Sequence, residues 1–394
     1  MVDSRLLEFK PIARKVWKRE GLQYFAADEM EYLTNELLGV RAGEVRQYFQ
    51  AAQTLQGLFE QAAQHIIDNQ LWEAVGIPKN AVRLIEYSWN HRQKHPMLYG
   101  RFDLSGVIDG KPPKLIEYNA DTATVLAESA LIQAHQLQAA KLPAHQQANT
   151  VVADLATQFD RLRLLHPQRD PLLLLSTLGH VEDYLNADVV AKAAEQASFD
   201  IQHLQLSQVV FSPDEGIFIE LGPDEFVKAD YWFKLIPWEF IATEEPELMD
   251  ILTNIVMGGH AVILNPAYTL LYQSKAILKI LWDLFPNHPN LLPASYTERA
   301  FKGQAYVEKV IFGREGENIR MYDHYGQIRE ENGGDFAHFS PIYQAYEELP
   351  QDSDGDYYQA GVYMTYQPSC LSYRRRDGLI VDTDSEFIGH YLMD

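Results

Sequence analysis

The stretch Asp170-Pro-Leu-Leu-Leu-Leu-Ser176 is a continuous apolar run of strand length. It is followed by a glycine turn, an amphipathic run over 183–197 and a second strand-like segment over 201–206. A strand, a helix and a strand in this order predict a parallel, Rossmann-like unit. Further strand-like segments extend this unit at 217–221, 229–236 and 261–264. The result is a predicted small domain over residues 168–266. No G-x-G-x-x-G motif follows its first strand, which argues against a dinucleotide site.

The N-terminal flank of this unit is predicted to be mainly helical up to residue 95. Apolar residues recur there at three-to-four spacing over 32–38 and again over 45–67. Residues 127–155 are rich in Ala, Gln and Leu and predict long helices interrupted near Pro143.

The C-terminal flank changes character at Ser274. A helix is predicted over 275–285 and ends at Pro286, because proline does not continue a helix. Strand-like segments follow at 305–312, 342–346, 359–366 and 371–374. They predict an antiparallel sheet with few helices.

Composition and charge restrict the class of protein. The chain has 394 residues, 46% hydrophobic and 22% charged, which predicts a globular protein of two or more domains. Its 33 basic and 55 acidic residues give a formal charge of −22, which disfavours nucleic acid and anionic membranes as partners. The same charge is compatible with a cationic partner, or with solubility alone.

The single cysteine, Cys370, excludes an intrachain disulfide and a Cys-cluster metal site. No signal peptide or membrane span is recognisable in the sequence, and a cytoplasmic location is expected.

Hard oxygen ligands are concentrated in a predicted hairpin. Arg101 and Asp103 are two residues apart on one strand, and Glu117 and Asn119 repeat this spacing after the turn at 109–113. Side chains two apart on a strand point to the same face. Two carboxylates and an amide beside a guanidinium suit a magnesium-phosphate complex. The alternative is an ordinary hairpin with a solvated, charged face.

Other segments carry weaker signals. Lys309 lies on a predicted strand that ends in a turn with Gly313 and Gly316, an arrangement in which backbone amides and a lysine contact a polyphosphate. Such turns are more often only turns, and Lys275 at a helix start is a weaker signal still.

Tyr343-Gln344 is either a segment whose backbone faces an adenine or a buried strand. The basic triplet 374–376 is either an anion site or a solvated turn. No metalloprotease, nucleophile-elbow or P-loop motif is present, and Cys370 is expected to be a buried hydrophobe.

The order and wording of these blocks resemble the glutathionylspermidine synthase family over nearly the whole chain. The blocks that carry the resemblance are Arg101-Phe-Asp103 with Leu115-Ile-Glu117-Tyr-Asn119-Ala-Asp121-Thr, then Ser274-Lys275-Ala-Ile-Leu with Phe285-Pro-Asn-His-Pro-Asn-Leu-Leu-Pro293, then Lys309-Val-Ile-Phe-Gly-Arg314-Glu-Gly316, and Tyr373-Arg374 with Asp377-Gly-Leu-Ile380.

The resemblance implies a mixed α+β and α/β chain: an ATP-grasp fold with an inserted Rossmann-like preATP-grasp domain and a helical N-terminal region. The implied division is 1–167 for the helical region and first ATP-grasp part, 168–266 for the inserted substrate-binding domain, and 267–394 for the second ATP-grasp part. The implied activity is ATP-dependent ligation of a carboxylate to an amine through an acyl phosphate.

The resemblance also implies roles for residues of this chain. Asp103, Glu117 and Asn119 would hold magnesium, expected as two ions. ATP would be bound by Arg101, Lys275, Lys309, Gly316, Tyr343, Gln344 and Arg374. Arg101, Arg314 and Arg374 would act in catalysis. The acid substrate would meet Thr122, Thr124, Glu182 and Arg314.

The sequence departs from the family pattern at several positions. Thr122 and Thr124 stand where serines are usual, Ala345 follows the hinge glutamine in place of an acidic residue, and Glu386 stands where an arginine is expected. The amidase domain of bifunctional members has no counterpart here, so hydrolysis of the product is not expected. The substrates are expected to be a peptide or other carboxylate and a polyamine-like amine. The main alternative is a non-catalytic nucleotide-binding protein that retains the fold, and a lone hydrolase has no nucleophile and base to support it.

Overall fold

The computed structural model of the protein describes residues 2–26 and 32–393. The elements of its first part are β1 (Leu6–Glu8), α1 (Arg14–Arg19), β2 (Leu33–Arg41), α2 (Ala42–Asp68), α3 (Val82–Asn90), β3 (Gly100–Ser105), β4 (Lys114–Asn119), a π-helix (Glu128–Ile132), α4 (Gln133–Ala139) and α5 (Val151–Leu165). Short 3-10 turns occur at Asp3–Arg5, Gln23–Ala26 and Ala144–Gln146.

The middle part contains β5 (Leu172–Thr177), α6 (Val181–Gln196), β6 (Asp200–Gln205), β7 (Val209–Ser212), β8 (Gly216–Gly222), β9 (Glu225–Ala229), β10 (Tyr231–Lys234), α7 (Trp238–Glu244), α8 (Pro246–Met257) and β11 (Val262–Leu264). The last part contains α9 (Thr269–Gln273), α10 (Ile277–Leu284), β12 (Ala294–Ser295), β13 (Tyr306–Val310), β14 (Ile319–Tyr322), β15 (Ile328–Asn332), β16 (Pro341–Ala345), β17 (Tyr357–Met364), β18 (Pro368–Arg376) and β19 (Glu386–Met393).

A seven-stranded sheet in the order β1-β2-β19-β18-β17-β3-β4 joins both ends of the chain. Its pairs are antiparallel except β2 with β19, which run parallel. Helix α2 packs on one face through β17 and β18, and α4 and α5 pack on the other. The apolar face of α2 explains this packing, since Tyr48, Phe59 and Ile66 are buried in the core.

A second sheet, in the order β11-β10-β5-β6, is entirely parallel. Helix α6 forms the crossover from β5 to β6, as the strand-helix-strand order predicts. The run of leucines in β5 is continuous because a parallel strand covered by helices is buried on both faces.

The segment 217–221 does not belong to this parallel sheet, and the prediction that it extends the unit is wrong. It forms β8 of a separate antiparallel meander, β7-β8-β9. The turns on either side of β8 are too short for the crossover of a dozen or more residues that a parallel pair needs. Pro213-Asp214 and Pro223-Asp224 are the turn signals that the prediction passed over.

The third large sheet is antiparallel, in the order β12-β16-β13-β14-β15. The predicted single C-terminal sheet is therefore divided: β12 to β16 form this one, and β17 to β19 complete the seven-stranded sheet. The predicted helix over 32–38 is also wrong, since these residues lie mostly in β2. Its partner strand, β19, comes from the far end of the chain, and tertiary pairing overrode the local pattern.

A buried joint connects the end of the β3–β4 hairpin to the parallel sheet. The Lys234 ammonium at the end of β10 lies 3.0 Å from Oδ1 of Asp121, and both side chains are completely buried. Asp121 Oδ2 also accepts the Trp238 amide at 2.8 Å. Asn265, just after β11, donates to the carbonyls of Tyr99 and Ala120 at 2.9 and 3.1 Å. The hairpin is thereby held against the carboxyl ends of the parallel strands.

Among the described helices, none is both long enough and apolar enough to cross a membrane.

Candidate active site

A cavity of about 970 Å³ opens where the seven-stranded sheet, the five-stranded sheet and the start of α6 meet. Its lining includes Arg101, Asp103, Glu117, Asn119, Thr122, Thr124, Glu182, Lys275, Lys309, Arg314, Gly316, Gln344 and Arg374. All the predicted site residues are thus brought together with one exception. The Tyr343 side chain is not in the lining: it points to the face of β16 opposite Gln344, with its ring 6.0 Å from that of Tyr306.

The hairpin places its polar side chains in register. Arg101 pairs with Asn119 and Asp103 with Glu117 across β3 and β4. The Arg101 guanidinium donates two hydrogen bonds, of 2.6 and 2.9 Å, to the Asp103 carboxylate. It donates a third, at 2.7 Å, to the Thr124 carbonyl. Asn119 Nδ2 donates to Asp103 at 3.0 Å and to Glu117 at 3.3 Å. The predicted cluster is a real convergence of side chains.

Two buried lysines face this cluster. Lys275 Nζ lies 3.3 Å from Glu117 Oε2 and donates to the Gly313 carbonyl at 2.7 Å. Lys309 Nζ, on β13, donates to Gln344 Oε1 at 2.9 Å and to the Ile116 carbonyl at 3.1 Å. The Gln344 amide is in turn fixed by the Leu115 carbonyl at 3.0 Å. Gln344 therefore positions the Lys309 ammonium.

The charges of the cluster shift the pKa values of its members. Burial by itself raises the pKa of Glu117, yet Lys275, Lys309 and Arg101 outweigh it and lower the pKa to about 2. Burial raises the pKa of Asp103, against the pull of Arg101, and lowers that of Lys309 to about 8. Around Asp103 and Glu117 stand the cations of Arg101, Lys275, Lys309 and Arg374. This excess of positive charge suits a polyanion.

The donor set also fits a magnesium ion that arrives with phosphate. Within residues 2–26 and 32–393, no group of three or more His, Cys, Asp or Glu side chains is arranged to hold a metal by itself. The hairpin offers two carboxylates and one amide oxygen. Mg²⁺ is typically bound through one or two carboxylates together with substrate phosphates, not in an all-protein cage. The residues present match that pattern.

Arg314 is held by residues from three parts of the chain. One of its terminal nitrogens donates to Thr122 Oγ1 at 2.8 Å, the other pairs with the carboxylate of Glu239, and its guanidinium lies 5.3 Å from the Phe240 ring centroid. Glu239, on α7, is completely buried, and no motif in the sequence pointed to its contact with Arg314. Only an alignment of relatives in which a glutamate at position 239 accompanies an arginine at position 314 would have revealed this contact.

The turn after β13 requires its glycine. Gly316 has a φ of +75°, and a Cβ there would lie 2.7 Å from the Val381 carbonyl oxygen. The turn consequently packs against the loop between β18 and β19, which also lines the cavity.

Arg374, on β18, holds that loop. Its guanidinium donates to the carbonyls of Ser385 and Asp382, at 2.5 and 2.8 Å, and lies 5.2 Å from the Tyr32 ring centroid. The neighbouring Arg375 is neutralised by Glu386 at 2.6 Å and by Glu36 at 2.7 Å. Arg374 has no carboxylate in such direct contact among the described residues, which leaves it free to attract an anion.

Glu182 lies in the first turn of α6 and accepts a hydrogen bond from the Tyr24 hydroxyl. Thr124 presents its carbonyl to Arg101 and to the Tyr363 hydroxyl, the latter at 2.5 Å. The cavity therefore has a cationic end near the hairpin and an acidic end near α6.

Comparison with known proteins identifies the family of the chain. The profile of the family described as glutathionylspermidine synthase preATP-grasp matches residues 5–393. The chain belongs to this family. It is 31% identical over 320 residues to the "Putative acid--amine ligase" of Haemophilus influenzae, covering 79% of this chain and 78% of that protein.

Two further relatives widen the comparison. The bifunctional glutathionylspermidine synthetase/amidase of Escherichia coli is 25% identical over 98% of this chain and 63% of its own length. The trypanothione synthetase of Crithidia fasciculata is 25% identical over 83% of this chain and 52% of its length. The chain thus spans less than two thirds of these two longer relatives. Family members are ligases, and the protein is an ATP-dependent carbon–nitrogen ligase.

A solved structure shares the fold. The glutathione synthetase-like effector GSS30 of Globodera pallida, in its apo form, superposes with a TM-score of 0.55 at 11% identity, covering 92% of this chain and 90% of that one. Mixed α/β architecture with several sheets is therefore common to both.

Proposed function

We propose that the protein joins a small carboxylate to an amine through an acyl phosphate, within an ATP-grasp arrangement. In this proposal residues 168–266 are the inserted preATP-grasp domain, and residues 1–167 and 267–394 supply the two parts of the ATP-grasp region. The observation that supports it most is the convergence of the hairpin oxygens with Arg101, Lys275, Lys309 and Arg374 in one cavity.

The nucleotide would lie along the five-stranded sheet. Lys275 and Lys309 are placed to contact its phosphates, and the β16 backbone at Tyr343-Gln344 is proposed to face the adenine. Asp103, Glu117 and Asn119 are the proposed ligands of two Mg²⁺ ions, which supply charge neutralisation of the phosphates when bound. The exclusion of the Tyr343 side chain from the cavity limits its role to the backbone.

The proposed chemistry has two steps. A carboxylate oxygen of the acid attacks the γ-phosphorus of ATP, and the bond from that phosphorus to ADP breaks. The amine nitrogen then attacks the acyl carbon, the carbon–oxygen bond to phosphate breaks, and phosphate leaves. Positioning and charge stabilisation dominate phosphoryl transfer, and Arg101 and Arg374 are placed to provide both.

The acid would bind at Arg314, Thr122, Thr124 and Glu182, and the amine at the acidic end of the cavity. The name of the Escherichia coli relative, glutathionylspermidine synthetase, indicates that this relative joins glutathione to spermidine. Ala345 and Glu386 line the cavity at positions that depart from the family pattern, and they favour a related peptide and a polyamine-like amine over these two compounds themselves.

The direct test combines purified protein, ATP and Mg²⁺ with carboxylates that include glutathione and with amines that include spermidine. We expect ADP release that depends on both substrates and an amide product by mass spectrometry. ATP binding without ADP or amide for any pair would contradict the proposal and support the non-catalytic alternative.

The contact between Glu239 and Arg314 makes a prediction of its own. Glu239→Gln should lower kcat/KM for the acid about tenfold to a hundredfold, because Arg314 loses its charged partner. The KM of the amine should stay nearly constant. If Glu239 acts only through Arg314, the double variant with Arg314→Ala should be no slower than Arg314→Ala alone. Additive losses in steady-state kinetics would contradict this coupling.

A further inference from the structure

Glu128 is a buried acid in the cavity wall. It is not among the proposed ligands of magnesium, ATP or the acid substrate. It is the first residue of the π-helix Glu128–Ile132, which follows the segment carrying Thr122 and Thr124. Single π-turns are rare and occur frequently at functional sites. The carboxylate of Glu128 in this turn is therefore a candidate for a functional role.

The Glu128 carboxylate is only half satisfied. The residue is 6% exposed and is part of the cavity lining. Its Oε1 accepts a hydrogen bond of 2.7 Å from the Tyr32 hydroxyl, whereas Oε2 has no hydrogen-bond partner in the described part of the chain. A buried carboxylate oxygen without a donor costs free energy, and a catalytic role is one of the reasons for which folded proteins retain such a group.

Arg374 and Glu182 both act electrostatically on the Glu128 carboxylate. Arg374 lies over the ring of Tyr32, which is the donor to Glu128, and Glu182 accepts a hydrogen bond from Tyr24. The titratable and charged groups that face Glu128 are Tyr24, Tyr32, Glu182, Tyr363 and Arg374. Under the proposed function, the acyl phosphate forms beside Arg374. The amine that attacks its acyl carbon then shares the cavity whose wall includes Glu128.

We propose that Glu128 is the catalytic base that takes a proton from the ammonium group of the amine substrate. This inference rests on the proposed ligase function. An N–H bond of the ammonium breaks, and the proton bonds to a carboxylate oxygen of Glu128. The freed lone pair forms the carbon–nitrogen bond, the acyl carbon–oxygen bond breaks, and the second proton of the nitrogen leaves with phosphate or to water.

The electrostatics support this assignment. Burial raises the pKa of Glu128, and Glu182 adds to the effect, while Tyr32 and Arg374 oppose it. A carboxylate whose pKa is moved upward is a better base near neutral pH than an exposed one.

The test compares two nucleophiles in wild-type protein and in Glu128→Gln, which keeps the size and the Tyr32 contact. Hydroxylamine is uncharged at neutral pH and traps acyl phosphates as hydroxamates, whereas spermidine must first lose a proton. With ATP, Mg²⁺ and glutathione, we expect the loss for spermidine to exceed the loss for hydroxylamine by about a hundredfold. Wild type should lose spermidine coupling as the pH falls through the raised pKa of Glu128, and Glu128→Gln should lack this limb and accelerate as the pH rises.

Tyr32→Phe is the matched control, since it removes the hydroxyl donor and leaves the carboxylate. Equal losses in Tyr32→Phe and Glu128→Gln would overturn the inference, because Glu128 would then act only by holding Tyr32. Equal losses for the two nucleophiles in Glu128→Gln would overturn it as well. Wild type that forms hydroxamate but couples no charged amine overturns the inference alone. Wild type that forms neither product with any carboxylate of the direct test overturns the proposed function, and the inference with it.

Discussion

Asp103→Ala is expected to lower the rate of ADP formation about a thousandfold. The substitution removes a proposed metal ligand, and it also leaves the buried Arg101 guanidinium without the carboxylate that it grips at 2.6 and 2.9 Å. The phosphoryl group would then lack both its cation and a fixed arginine. Initial rates of ADP release at saturating ATP and increasing Mg²⁺ measure the effect.

Asp109→Ala is the matched control for this experiment. Asp109 lies in the turn of the same hairpin and is exposed, with an ion pair of 3.4 Å to Lys111. Its loss should change the rate less than about twofold, since exposed pairs contribute little. If Asp103→Ala retained a tenth or more of the wild-type rate while folded, the metal assignment would be wrong.

Lys234→Met is expected to lower the free energy of unfolding by about 3–5 kcal/mol, because it leaves the Asp121 carboxylate buried without its cation. The two groups lie 3.0 Å apart with no exposed side-chain surface. Urea unfolding followed by circular dichroism measures the change.

Lys192→Met provides the comparison on the surface. Lys192 pairs with Asp188 at 2.9 Å, four residues apart on α6, with both side chains substantially exposed. Its loss should cost less than about 1 kcal/mol. Adding Asp121→Asn to Lys234→Met should recover part of the lost stability, because the orphaned charge is removed. No difference between the two lysine variants would contradict the importance of the buried joint.

Local patterns predicted the elements whose partners are close in sequence. The leucine run of β5, the crossover helix α6 and the β3–β4 hairpin are confirmed, because each is decided by residues within one short stretch of the chain. The helix prediction for 32–38 failed since β2 depends on β19, more than 340 residues away. Strands β14 and β15 were missed because both are short and none of their residues is fully buried, so no alternation of buried and exposed side chains marks them.

The site followed the same division. Residues within one motif, such as Asp103 and Asn119, were predicted from spacing and from a family resemblance, and the structure brings them into contact. Glu239 and Glu128 were missed, because their importance comes from Arg314 and Tyr32, which reach them only through tertiary packing. The side-chain direction of Tyr343 could not be predicted either, because a shift of one residue in the strand register moves a side chain to the other face of the sheet.

The parallel pairing of β2 with β19 has a consequence for synthesis on the ribosome. The seven-stranded sheet cannot close until β19 has emerged, because β19 lies between β2 and the strands that carry Arg101 and Arg374. Until then β2 has an unpaired strand edge in the nascent chain and its apolar neighbours are uncovered. Such a state is prone to aggregation. Chaperone demand during translation should therefore be greater for this protein than for one whose sheets assemble in sequence order.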